Sequence, residues 1–144
     1  MLFDKMVAVV VPAYNEEKQI CHVLKTMPQF VDRIIVVNDC SKDNTANVVL
    51  SYIKEERAIG KVIRQVSTVN DGNEYDKVEK LLKEKREQDI QLYPPSEIAN
   101  VYPDTDRIIL INHLKNSGVG AAIARGYKWC LDHNIDCTAV MAGD

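Results

Sequence analysis

The sequence predicts an α/β protein built on a mostly parallel sheet flanked by helices, and three observations predict it. Short, apolar, β-branched runs recur along the chain; a polar cluster closes each; a helical apolar period follows. Runs of that length and composition suit strands buried on both faces, as parallel strands are. Such sheets take ligands beyond the carboxyl ends of their strands, and the polar clusters fall there.

The first run, residues 7–11 (VAVVV), makes a strand ending at Pro12. Ile20, Val23, Leu24 and Met27 then fall at i, i+3, i+4 and i+7, with Glu16, Glu17 and Lys18 ahead and Pro28 behind, which predicts an amphipathic helix with a stop. The second run, residues 34–37 (IIVV), gives way to the polar stretch Asn38-Asp39-Cys40-Ser41-Lys42-Asp43-Asn44-Thr45. Val49, Tyr52 and Ile53 mark a second helix.

The middle is less regular. Residues 61–66 admit a further strand, and residues 74–89 are dense in charge with only Val78, Leu81 and Leu82 apolar. Tyr93-Pro94-Pro95 breaks the pattern, so residues 66–106 read as an insertion carrying one exposed helix. Order returns at residues 107–112 (RIILIN), a strand. The turn Asn116-Ser117-Gly118-Val119-Gly120 then leads into a helix with Ile123, Tyr127, Cys130 and Leu131 on one face. A last strand, residues 138–141, runs into Ala142-Gly143-Asp144.

With 144 residues, 46% of them hydrophobic, one domain with a real core is expected. Lys+Arg 18 against Asp+Glu 21 leaves a formal net charge of −3 and no broad positive field, which excludes nucleic acid as a partner. The four cysteines, Cys21, Cys40, Cys130 and Cys137, form no C-x-x-C pair, so reduced and mostly buried thiols are expected rather than a zinc ribbon or a thioredoxin-like centre. No secretory h-region and no membrane-length apolar run are present, pointing to a cytoplasmic setting.

Three clusters can carry chemistry. Pro12-Ala13-Tyr14-Asn15-Glu16 offers an aromatic ring for stacking and a carboxylate for accepting N–H groups; read structurally, the same residues are a turn with Asn15 capping the next helix. Asp39, at a strand end, is placed either to hold a base or ribose hydroxyl or as turn chemistry, with Asp43 or Ser41 the cap of the second helix. Asn116-x-Gly118-x-Gly120 lets backbone approach a ligand closely. That glycine pattern is late in the chain and has Ile123 where a Rossmann fingerprint closes, which disfavours a nicotinamide dehydrogenase. A fourth feature, Asp144, follows an apolar strand where a hard metal ion bridging to a diphosphate would need a carboxylate.

In order, VVVPAYNEE, IIVVNDCSKDNT, NSGVGAAIARGYKW and AVMAGD resemble the family 2 glycosyltransferases, which include dolichyl-phosphate and polyprenyl-phosphate sugar transferases. The resemblance implies a GT-A fold, a nucleoside-diphosphate sugar donor of UDP or GDP type, Mg²⁺ or Mn²⁺, and inversion at the anomeric carbon, with a polyprenyl phosphate as acceptor in the full-length protein. It makes Pro12, Tyr14 and Glu16 the base-side wall and Asp39 the nucleoside-holding carboxylate, with Asn38 beside it. Asn116 and Gly118 then line the donor pocket, and Asp144 is the metal-side Asp. Three departures stand out: Asn38 replaces the first Asp of V-D-D-G-S, Cys40 replaces its Gly, and Ala142 stands at the first Asp of D-x-D. Cys40 implies that a positive φ is not needed there. The family's acceptor-side catalytic carboxylate lies downstream of D-x-D. The 144 residues are therefore expected to be a fragment, the donor-binding half of a GT-A domain cut after the metal-motif strand, with any membrane association lying outside them. A non-catalytic nucleotide-binding module is the alternative.

Overall fold

Val7–Ala13 (β1) and Arg33–Asn38 (β2) lie side by side in parallel, Val9 opposite Ile34 and Val11 opposite Val36. They belong to a computed structural model that describes residues 3–60 and 73–142, the side chains of residues 73–79 excepted. Residues 61–66, read as a possible strand, and Asp144 lie outside the described residues.

The remaining strands are Ser96–Ile98 (β3), Ile108–His113 (β4) and Cys137–Val140 (β5), and the helices are Ile20–Lys25 (α1), Thr45–Ala58 (α2), Asn73–Asp89 (α3) and Val119–Asp132 (α4). The sheet order is β3-β4-β2-β1-β5, with β1, β2, β4 and β5 parallel and β3 antiparallel on β4. This is the expected mostly parallel sheet of GT-A type.

Alternation along the strands divides the core in two. Val9, Val11, Ile34, Val36, Ile108 and Leu110 face α1 and α2. Ala8, Val10, Ile35, Val37, Ile109 and Ile111 face α4. Nearly continuous apolar strands are thus explained by helices on both faces. The chain steps outward from β1 to β2 to β4, then returns across the sheet through α4 to β5 on the other side of β1. The direction of winding reverses between β1 and β5, the position where sheets of this kind open a crevice at the strands' carboxyl ends.

Several expectations are corrected. β1 does not stop before Pro12 but runs through it to Ala13. Val7 and Ala13 direct their carbonyls at β2, to the N–H groups of Asp32 and Asp39, whereas Val10 directs its carbonyl at the Met141 N–H beyond β5. Pro12 shares the parity of Val10, and the β1–β5 ladder ends at Val10 paired with Val140. The missing N–H of Pro12 therefore faces a side with no ladder left to make, where proline is tolerated.

Of the expected face of α4, Ile123, Tyr127, Cys130 and Leu131, only Cys130 is buried. Ala122, Gly126, Trp129 and Cys130 pack on the sheet, while Tyr127 is 45% and Leu131 75% exposed. Small residues at 122 and 126 let the helix approach the strands, and Trp129 fills the space past them. The expected exposed helix is α3, whose Leu81 and Leu82 are exposed, but β3, part of the supposed insertion, adds a strand to the sheet. All four thiols are free, yet only Cys130 is buried; Cys40 and Cys137 are exposed. No described helix is long and apolar enough to cross a membrane.

Candidate functional site

The loops after β1 and β2 are tied to each other. Asn15 N–H donates to Ser41 Oγ at 3.0 Å and Asn15 Oδ1 accepts from Lys42 N–H at 2.9 Å. Glu16 N–H donates to Thr45 Oγ1 at 2.9 Å, and Asn44 N–H donates to the Glu17 carboxylate at 2.7 Å. Asn15 adopts φ 53°, a left-handed conformation asparagine tolerates, so it does not cap α1; the cap position is Gln19, with no side-chain bond. Asp43 accepts from the N–H and hydroxyl of Thr45, the first residue of α2, and so serves that helix start, although Asn44 holds the formal cap position.

Asp39 is 4% exposed and sits at the meeting point of three segments. Its Oδ1 accepts from His113 Nδ1 at 2.9 Å and from Ser117 N–H at 2.8 Å; its Oδ2 accepts from Gly118 N–H at 2.8 Å. Burial alone would raise its pKa, but the bonds from His113, Ser117 and Gly118 and the nearby His113 charge outweigh it, and the pKa lies below the ordinary carboxylate value. A carboxylate offers about four lone-pair positions. Three are used, which leaves one, on Oδ2.

Asn38 has a different task. Its Nδ2 donates to Asn112 Oδ1 at 3.0 Å, across the parallel β2–β4 register, and its Oδ1 accepts from the Ser41 N–H and hydroxyl. An aspartate could not donate to Asn112, which gives the amide a physical reason at this position. Cys40 adopts φ 57°, so the backbone does require positive φ there, contrary to the expectation drawn from its side chain.

A cleft of about 470 Å³ opens where β1 and β5 part. Pro12, Tyr14 and Glu16 line it from the β1 turn, Asp39 from the end of β2, and Asn116 and Gly118 from the turn before α4. Ala13, Val119, Ala122 and Ala142 complete an apolar wall. Six of the seven expected donor-site residues thus share one cavity; Asn38 does not line it, and it braces the loop behind Asp39 instead. Gly118 has φ 92°, a conformation that costs other residues, and it delivers its N–H to Asp39. Tyr14 is 41% exposed at the cleft. Among the described residues no three of His, Cys, Asp and Glu gather into a group able to hold a metal ion, so the described part of the cleft does not by itself fit one.

The residue that sequence reasoning missed is His113. It reads as a strand end, and its partner Asp39 is 74 positions away; only the pairing of β2 with β4 brings them together.

Residues 8–73 match the model of glycosyl transferase family 2. The chain is 42% identical to a dolichyl-phosphate beta-glucosyltransferase of Trichomonas vaginalis over 35% of its own length and 20% of the relative's. A second such enzyme of that organism is 48% identical, over 30% of this chain and 16% of its own. A UDP-N-acetylglucosamine–dolichyl-phosphate N-acetylglucosaminyltransferase of Methanococcus voltae is 46% identical, over 31% and 18%. The matched segment spans a fifth or less of the length of these relatives. No solved structure matches the chain. The family model begins in β1 and takes in the turn after it, the β2 loop and α2, the segments that supply Pro12, Tyr14, Glu16 and Asp39 to the cleft, and over that segment the chain is similar to glycosyl transferase family 2.

Proposed function

We propose that the cleft binds the nucleoside diphosphate of a UDP- or GDP-sugar, and that the protein is a glycosyltransferase passing the sugar, with inversion, to a polyprenyl-phosphate acceptor. The observation carrying this reading is the convergence of Pro12, Tyr14, Glu16, Asp39, Asn116 and Gly118 on one cavity at the reversal of the sheet. A half-exposed Tyr14 offers a face for a base. The remaining lone pair of Asp39 takes one N–H or O–H donor, from a base or a ribose, and repels phosphate. Asp39 already occupies the Ser117 and Gly118 N–H groups ahead of α4, so those two amides are not available to hold the diphosphate.

In the transfer, the acceptor oxygen forms a bond to the anomeric carbon from the face opposite the diphosphate, whose bond to that carbon breaks with both electrons. The part played by the residues named here is to bind and orient the donor. The acceptor is proposed from the relatives' names, and a cytoplasmic site with membrane association elsewhere in the protein accords with it. Mg²⁺ or Mn²⁺ is proposed as the ion that Asp144, outside the described residues, would help to hold.

The alternative, a nucleotide-binding module without transfer, draws on Ala142 at the cleft where a metal-side Asp would stand. Isothermal titration with UDP and GDP, followed by transfer assays with labelled nucleotide sugars, tests both readings. Binding with transfer supports the first, binding without transfer by the full-length protein supports the second, and no binding contradicts both.

A further inference from the structure

His113 is fully buried at the end of β4, and it is an expensive side chain to place there. Its Nε2 has no hydrogen-bond partner among the described residues. A buried polar atom without a partner forfeits its hydration with nothing in return, so an apolar side chain would serve the core better unless the other ring nitrogen compensates. That nitrogen, Nδ1, lies 2.9 Å from Asp39 Oδ1. With the Asp39 pKa held low, the carboxylate is ionised, and Nδ1 must carry the hydrogen.

The other two bonds to Asp39 come from the backbone of the turn before α4, Ser117 and Gly118. Those two bonds tie Asp39 to that one turn. His113 stands on a sheet strand, β4, and its bond ties Asp39 Oδ1 to the sheet as well. It also fills one of the two lone-pair positions on Oδ1, leaving Oδ2 to face a ligand.

We propose that His113 is a positioning residue for donor binding: it clamps Asp39 so that a single acceptor position on Oδ2 is presented to the nucleoside. The proposal rests on the reading of the cleft as a nucleoside-diphosphate site. His113 touches no ligand itself and acts only through Asp39.

The test is a double-mutant cycle on UDP and GDP binding. His113→Phe keeps a flat ring and removes the donor; His113→Leu replaces it if the Phe variant does not fold. His113→Asn restores an N–H donor where Nδ1 stood. The apolar variant should weaken binding by about tenfold, the scale of one hydrogen bond to a charged group. The Asn variant should recover most of that loss, and in an Asp39→Ala background the apolar change should have no further effect. Equal losses in both backgrounds, or full affinity in the folded apolar variant, would overturn the clamp.

Hydrogen exchange at the Ser117 and Gly118 amides separates this result from the nucleotide reading. If the wild-type protein binds neither nucleotide, the proposed function fails, yet the clamp still predicts faster exchange at those two amides in the apolar variant and recovery in the Asn variant. Unchanged exchange at both would then count against the clamp.

Discussion

Gly126 of α4 lies so close to Val10 of β1 that a Cβ built on it would clash with Val10 Cγ1 and stand 2.9 Å from Cγ2. Val10 is fully buried between α4 and its neighbouring strands and cannot give way. Helix propensity alone favours alanine over glycine by about 1 kcal/mol, whereas overpacking a core costs about 1–3 kcal/mol. Gly126→Ala should therefore destabilise the protein by up to about 2 kcal/mol in urea unfolding. Gly120, on the same helix, has nothing within 4 Å of such a Cβ and no positive φ. Gly120→Ala should stabilise by about 0.5–1 kcal/mol. Opposite signs for the two substitutions are the expected result, and equal effects would contradict the packing of α4 on β1.

Cys40 holds φ 57° with a β-carbon, a conformation costing an L-residue about 1–2 kcal/mol. Glycine removes that cost but raises the entropy of the unfolded chain by about 0.4–1 kcal/mol. Cys40→Gly should thus be neutral to stabilising by up to about 1.5 kcal/mol in thermal or urea unfolding. A marked loss of stability would show that the contact of Cys40 Sγ with the Leu114 carbonyl, at 3.7 Å, outweighs the backbone strain.

Asp39 links stability to pH. Its pKa is lower in the folded protein than in the unfolded chain, so its contribution is complete above the unfolded value, near 3.8, and is lost as pH falls through the lower, folded value. Asp39→Asn should flatten the stability profile in that acid range, and Asp39→Ala should reduce both stability and nucleotide affinity, the latter by about 1–3 kcal/mol. Urea midpoints from pH 2 to 7, wild type beside variant, check the sign; parallel profiles would contradict it.

Asp43 provides the contrast. Its bonds run to Thr45 and to the Glu17 N–H at 3.3 Å, joining the start of α2 to the β1 turn, and it does not line the main cleft. Asp43→Ala should cost about 1 kcal/mol of stability and leave nucleotide affinity within about twofold, less than one hydrogen bond's worth. A larger loss of affinity than of stability would reverse the division of labour between the two aspartates.

The strands were legible because burial on both faces demands continuous β-branched runs, and residues 7–11, 34–37 and 107–112 supply them. That six of the seven candidates share one cavity was legible because strand ends converge in space once the sheet order is known. The buried face of α4 was not, since Ile123, Tyr127 and Leu131 are periodic too; what decides the face is the smallness of Ala122 and Gly126 against β1, which a hydrophobic period does not weigh. β3 has three residues and follows two prolines, so it carries no run to read. Asn38 and His113 escaped because their roles depend on partners across the β2–β4 register, Asn112 and Asp39.

The measurement that tests the central claim most directly is calorimetric titration of the protein with UDP and GDP, with and without Mn²⁺, repeated on Tyr14→Ala and Asp39→Ala. Saturable heat with at least one nucleotide, strengthened by the ion and weakened in both variants, is the predicted result. No heat with either nucleotide at millimolar concentration, or binding that both variants leave intact, would contradict the assignment of the β1–β5 cleft as the donor site.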